Sequence, residues 1–311
     1  MRLIQPVLLT VLFDNVSALR SSLGHTSNEE RALRMAPTDK LLSLDMSEND
    51  CLYRFRRDYE LSSTVIYVHL KNLDIIAQER QTYGPDVIKD LQSIVEVWDQ
   101  QWTTLSVFRQ EGGTVQYAQD EWQPHFLPLE FAINNLTRLN FVDLEVGHGF
   151  KNWVFVTTFH TQRQILKICP FEYQLQYFTQ EVKAYKKLSE RGCGLIPRLS
   201  AYVFERTEEQ IIGFVCEELD GRFAESSDYK ECKHSLLQSQ SYGVVHGDLN
   251  RFNIIITASG VRFIDLEKSL LDTDKGISKD EFSRLQQEEV DGLEKALCDE
   301  EGWGKPWPEP N

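Results

Sequence analysis

The sequence predicts an α+β fold. Short apolar runs with period-two alternation lie between Leu52 and Leu70 and again between Val146 and Cys216. Segments with helical apolar spacing stand between and after them, and glycine, proline or asparagine clusters separate the runs. With 311 residues, 41% of them hydrophobic, there is material for two cores, and length alone favours two domains.

In chain order, Met1 to Phe13 is apolar enough to suggest a signal sequence. Gln5, Pro6 and Thr10 interrupt it, however, and no small-residue cleavage site follows, so a buried strand or short helix is expected instead. Ser22 to Asp50 is polar and reads as loop or exposed helix. Leu52–Tyr59 and Thr64–Leu70 read as strands, and Asp74–Gln81 and Pro85–Trp102 as helices. The second helix would put Val87, Leu91, Ile94, Val95 and Trp98 on one face. Thr103–Phe108 and Thr114–Tyr117 form a further strand pair around Gly112-Gly113. Pro124 to Pro128 is the best boundary, so residues 1–128 form an N-terminal α+β region.

Past the boundary, Val146-Gly147-His-Gly149-Phe-Lys-Asn152-Trp-Val154 reads as strand, turn, strand. Gln164 to Cys169 is an alternating strand carrying Lys167, and a lysine in an apolar strand is costly unless its ammonium meets an anion. The plainer reading is an edge-strand lysine that snorkels to water. Between Gln176 and Leu188, Phe178, Val182, Tyr185 and Leu188 define a helix face with Glu181 inside it. A carboxylate there calls for a cation, Lys167 first, with Lys183 or Lys186 as surface alternatives.

Ile211 to Cys216 is an apolar strand running into the acidic connector Glu217-Glu218-Leu219-Asp220-Gly221. Asp228 to Tyr242 is read as a helix with Cys232, Leu236 and Leu237 as its apolar positions and Gly243 as its stop. Asp280 to Glu300 is an acidic helix, interrupted by Gly292, with Phe282, Leu285, Leu293, Ala296 and Leu297 on one face. The tail Gly302 to Pro310 alternates glycine, proline and tryptophan, which ends the helix. It is expected to pin against the body by its tryptophans, with partner docking as the alternative.

The most informative stretch is Gly243-Val-Val-His246-Gly-Asp248-Leu-Asn-Arg-Phe-Asn253, followed by Arg262-Phe-Ile-Asp265-Leu-Glu267. A β-hairpin explains the strands Ile254–Ile256 and Val261–Ile264 and the Ser259-Gly260 turn, but not the His, Asp, Asn and Asp intervals. Phosphoryl transfer needs a carboxylate for the acceptor hydroxyl and hard oxygen ligands for Mg²⁺. Asp248, Asn253 and Asp265 are of those types, with Asp248 and Asn253 five apart. On these residues the chain resembles the protein-kinase-like superfamily, more closely its aminoglycoside and choline phosphotransferase branch, whose loop reads His-Gly-Asp-Leu-x-x-x-Asn. It is also similar to kinase-like proteins of fungi with His-Gly-Asp-Leu-Asn-Arg-x-Asn and Ile-Asp-Leu-Glu. The resemblance covers about Leu136 to Leu271.

The resemblance implies a two-lobed fold: a small lobe over 129–220, a minimal large lobe over 221–311, and the N-terminal α+β extension. It implies Mg-ATP as cofactor and transfer of the γ-phosphoryl group to a hydroxyl, expected on a small molecule. Asp248 would position or deprotonate that hydroxyl, Asn253 and Asp265 would hold Mg²⁺, Lys167 would bind the α- and β-phosphates, and Glu181 would hold Lys167. Gly147, Gly149 and Asn152 would cover the phosphates, glycine letting backbone N–H groups approach without a Cβ in the way. Backbone groups from Glu217 to Leu219 would bond the adenine edge.

Asn250 and Phe252 stand where protein kinases carry a lysine or arginine after the catalytic Asp, and 46 residues follow Asp265 without an Ala-Pro-Glu-like segment. A protein-kinase reading therefore ranks third and needs a partner. Second is a pseudokinase or nucleotide-binding module that docks proteins through the N-terminal region or the Trp-rich tail. The 48 acidic and 33 basic residues give a charge of −15, which disfavours a nucleic-acid surface and fits a cationic acceptor. Six scattered cysteines without Cys-x-x-Cys spacing indicate neither zinc nor a disulfide framework. With no run of about 18 apolar residues, a cytoplasmic, reducing location is expected.

Overall fold

The structure, a computed structural model, describes residues 36–300 and 304–307. Its architecture is mixed α+β, with several sheets and four α-helices among those residues. No described helix is long and apolar enough to cross a membrane.

The first layer is a five-stranded sheet in sequential order: β1 (Thr38–Met46), β2 (Cys51–Asp58), β3 (Ser63–Leu70), β4 (Thr104–Arg109) and β5 (Val115–Gln119). Only β3 and β4 are parallel, so they need a crossover, which α1 (Gly84–Ile94) supplies. Both faces are buried. Tyr53, Phe55, Ile66 and Val68 meet Val87 and Leu91 of α1, while Val65 and Tyr67 turn toward the next sheet. Double burial explains why β3 reads as a continuous apolar run.

The second sheet has the order β6 (Thr137–Asn140), β10 (Leu199–Phe204), β11 (Ile211–Glu217), β9 (Gln162–Ile168), β8 (Val154–Phe159) and β7 (Val146–Lys151). Between β9 and β10 runs α2 (Leu175–Glu190), whose Phe178 and Tyr185 rest on Phe214 of β11. Beyond it lie β12 (Gly221–Phe223), α3 (Tyr229–Ser241), β13 (Val244–Val245), β14 (Ile254–Thr257), β15 (Gly260–Phe263), β16 (Leu270–Leu271) and α4 (Lys279–Cys298). Here Val290, Leu293 and Leu297 of α4 pack with Cys232, Leu236 and Phe263.

Several expectations change. Part of the stretch read as loop or exposed helix, 38–46, is strand β1; pairing with β2 overrides its polar composition, and Asp39 is buried by Arg57 and the Trp98 indole. Asp74–Gln81 is not a helix but two 3₁₀ turns, Leu73–Ile75 and Gln78–Arg80. The next helix stops at Ile94 rather than Trp102: Val95 turns extended (φ −103°, ψ 99°), and farther on the Trp98 carbonyl accepts from buried Arg57 (2.8 Å). Leu237 is 49% exposed; α3 instead buries Ser235, Ser239 and Gln240. α4 passes unbroken through Gly292. Met1–Phe13, 301–303 and 308–311 lie outside the described residues.

Candidate functional site

The loop after β13 is built by backbone necessity. Gly247 has φ +78°, and a Cβ on it would collide with the Lys268 carbonyl, so only glycine lets the chain pass there. The buried His246 donates from Nε2 to the Ile264 carbonyl (3.0 Å) and accepts the Asp248 N–H at Nδ1 (3.4 Å), tying the loop to the strand leading to Asp265. Asn250 Oδ1 accepts the Phe252 N–H (2.9 Å) and starts the 3₁₀ turn Arg251–Asn253. The carbonyl of Asp248 accepts the side-chain amides of Asn250 (3.1 Å) and Asn253 (3.0 Å). That leaves Asn253 Oδ1 facing the Lys151 ammonium, which also reaches Asp265. Asp265 itself is left-handed, φ 64° and ψ 60°, a conformation that costs about 1–3 kcal/mol for a non-glycine residue and clusters at functional sites.

Two lysines grip the Asp265 carboxylate. Lys167 of β9 reaches Oδ1 at 2.7 Å, and also Glu181 Oε2 at 2.7 Å and Glu267 Oε2 at 3.2 Å. Lys151, at the end of β7, reaches Asp265 Oδ2 at 3.2 Å and Asn253 Oδ1 at 3.4 Å. Glu181 Oε1 accepts the Leu266 N–H (3.2 Å), so α2 is fastened to the chain just past Asp265.

Burial works against the Lys167 charge, but Asp265, Glu181 and Glu267 outweigh it and hold its pKa well above the ordinary value. For Asp265, burial pushes the carboxyl up, while Lys167 and Lys151 bring it well below the usual carboxylate range. Burial raises Glu181 to about 7 against the pull of Lys167, because one ammonium is shared among three acids.

The donor set suits a hard divalent cation. Glu181, Asp265 and Glu267 offer carboxylate oxygens within 4.8 Å of one another, Asn253 adds an amide oxygen, and the Lys151 ammonium already lies between two of these groups. Mg²⁺ fits such oxygens, and Asn253 with Asp265 would hold it.

The structure therefore gathers Lys167, Glu181, Asn253 and Asp265 into one cluster, with Asp248 joined through its carbonyl. The other predicted residues lie on β7, its turn and the connector after β11. Gly147 and Gly149 lie within β7 rather than in the turn, which is Asn152-Trp153, and Asn152 is exposed. Glu217 bonds Arg198: its N–H donates to the Arg198 carbonyl (2.9 Å), and its carboxylate accepts the Arg198 N–H (3.2 Å). Leu219 is half-buried in the connector beyond β11.

Sequence reasoning assigned no role to four residues. Lys151 sits between Gly149 and Asn152, and Glu267 two places after Asp265, so position could have flagged both. Lys268 pairs with Asp248 Oδ2 at 3.1 Å, and Glu289 of α4 accepts the Gly247 N–H at 2.7 Å. Glu289 is one acid among many on α4, and only folding brings it to the loop. Between loop and helix lies a cavity of about 390 Å³ lined by Gly247, Leu249, Lys268, Leu285, Glu288 and Gly292.

Of the tail, residues 304–307 run beside this cluster. The Trp307 N–H donates to the Phe150 carbonyl at 2.7 Å, and Gly304 lies against Asn250 and Lys151. The backbone makes the attachment and Trp307 is 37% exposed, while Trp303, the other tryptophan expected to pin the tail, lies outside the described residues.

A family model of the RIO domain matches residues 218–281. The RIO domain is a member of the protein-kinase-like superfamily, and the match does not reach the aminoglycoside and choline phosphotransferase branch. The matched span contains Asp248, Asn253 and Asp265, while Lys167 and Glu181 precede it. A RIO domain implies kinase-like phosphotransfer from ATP and leaves the acceptor unspecified. No curated protein matches the chain.

Proposed function

We propose that this chain is a Mg-ATP-dependent phosphotransferase of two-lobed, kinase-like build that moves the γ-phosphoryl group to a hydroxyl on a small molecule. One observation carries the reading: Lys167 from the strand-rich half bridges Glu181 and Asp265, and Asp265 lies beside Asn253. That is the set of groups phosphoryl transfer uses for phosphate and metal binding. A bound Mg²⁺ would neutralise charge on the phosphate oxygens.

The residues divide the work as follows. Lys167, held by Glu181, binds the α- and β-phosphates, and Asn253 and Asp265 hold the metal. Asp248 orients the acceptor hydroxyl and takes its proton as the new O–P bond forms and the bond to the β-phosphate oxygen breaks. Lys268, which pairs with Asp248 Oδ2, also lines the cavity between the loop and α4, whose volume is in the small-molecule range.

Asp248→Asn is expected to abolish transfer and leave nucleotide binding intact, read by a phosphate-acceptor screen beside Mg-ATP thermal shifts. Turnover retained in Asp248→Asn would sink the reading. The second reading is a nucleotide-binding interaction module, favoured by one feature: Asp248 and Asp265 are already neutralised by Lys268 and Lys151. Mg-ATP binding without transfer to any acceptor in the screen would select it.

A further inference from the structure

The register of three strands lines up the two lysines. Lys151 of β7 pairs with Val154 of β8, and Val154 pairs with Lys167 of β9. Paired residues of antiparallel strands share a face, so both lysines project from one side of the sheet. They meet the same carboxylate from different sides, Lys167 at Oδ1 and Lys151 at Oδ2.

Their bonding is unequal. Lys167 is also fixed by Glu181 and Glu267. Lys151 bonds Asn253 Oδ1 and Asp265 Oδ2, the pair assigned above to the metal, and its side chain is 25% exposed against 15% for Lys167. A divalent cation taking that pair would repel the Lys151 ammonium rather than the more tightly held Lys167. Lys151 then needs a new anion, and a nucleoside triphosphate brings one to the same place. Its strand is short and ends in the Asn152-Trp153 turn, so a small movement frees the side chain.

Resting on the phosphotransferase reading, we propose that Lys151 is a second nucleotide-binding cation. Its ammonium lies between Asn253 Oδ1 and Asp265 Oδ2, the pair that would take the metal. With metal and nucleotide bound it pairs with the terminal phosphate. Lys167 then serves the phosphates common to ATP and ADP, and Lys151 tells the two nucleotides apart.

The test is calorimetric titration of the full chain with ATP and ADP in Mg²⁺, and separately with Mn²⁺ alone, for wild type, Lys151→Met and Lys151→Arg. Methionine keeps an unbranched apolar side chain while removing the charge, and an unfolding curve for each variant checks its fold. Wild type is expected to bind ATP about tenfold more tightly than ADP, the scale of one charge-assisted hydrogen bond. Lys151→Met should bind the two alike and bind Mn²⁺ more tightly than wild type, while Lys151→Arg should keep the preference for ATP. A wild-type ratio near one, an unchanged ratio in Lys151→Met, or an unchanged Mn²⁺ affinity would each overturn the role of Lys151. No nucleotide binding by wild type would overturn the phosphotransferase reading itself and this role with it.

Discussion

Glu205→Ala probes the joint between the two large sheets. Glu205, just after β10, is 3% exposed and receives the 1%-exposed Arg54 guanidinium, with Nε to Oε1 at 2.8 Å. Its Oε2 accepts the Tyr67 hydroxyl at 2.6 Å. Removing one partner of a buried ion pair costs about 3–5 kcal/mol, because the other charge is left without compensation. Loss of the Tyr67 acceptor adds about 1 kcal/mol or more. The Phe141 ring, 4.2 Å from the guanidinium carbon, makes a cation–π contact that the native protein already has, so it offsets none of this loss. The expected net loss is about 4–6 kcal/mol. Against a typical total of roughly 5–15 kcal/mol that is a large fraction, and with an m-value near 3 kcal/mol/M it shifts the urea midpoint by about 1.3–2 M. Replacing the set together, as Arg54→Met, Glu205→Met and Tyr67→Phe, should restore most of the loss, because no buried charge or hydroxyl is then stranded. A midpoint shift below about 0.3 M for Glu205→Ala would refute the reasoning, since it would mean that Arg54 reaches water once its partner is gone.

Three further outcomes follow from the cleft. Glu181 is raised from 4.5 to about 7, so its contribution to stability is present below pH 4.5 and is lost as pH rises toward 7; Glu181→Gln should flatten that segment of a stability–pH curve, worth up to about 3 kcal/mol. Asp265 is shifted the other way, so its contribution is present above the ordinary 3.8 and is lost as pH falls; Asp265→Asn should remove the acid-side loss, read by urea unfolding between pH 2 and 5. Gly247→Ala should be costlier than Gly243→Ala, by about 2 kcal/mol: both have φ +78°, but the first Cβ meets the rigid Lys268 backbone and the second a movable Asp272 side chain. Equal thermal midpoints for the two variants would contradict it.

Much of the second half was legible because its chemistry is local or periodic. The α2 stripe of Phe178, Val182, Tyr185 and Leu188 is buried as its spacing implies, and Glu181 sits inside that stripe with Lys167 as partner rather than Lys183 or Lys186. Gly243 ends α3 with a positive φ, as a helix stop requires. The first sheet was harder to read. Polar β1 becomes a strand only through β2, and Arg54 and Arg57 look like surface residues until Glu205, Asp39 and two tryptophans close over them.

Residue types and intervals are written in the chain locally: the Asp248, Asn253 and Asp265 spacing, the lone Lys167 on an apolar strand, and an acid on a helix face of apolar residues. Short-range periodicity carries such information, since side-chain direction follows from position along a helix or strand. Which charges meet is set by the packed fold. Lys151 reaches Asp265 across 114 residues, Lys167 across 98, and Glu289 reaches the Gly247 N–H across 42. Those meetings depend on strand register and helix docking, which bring distant side chains within a few ångströms and which no local pattern encodes.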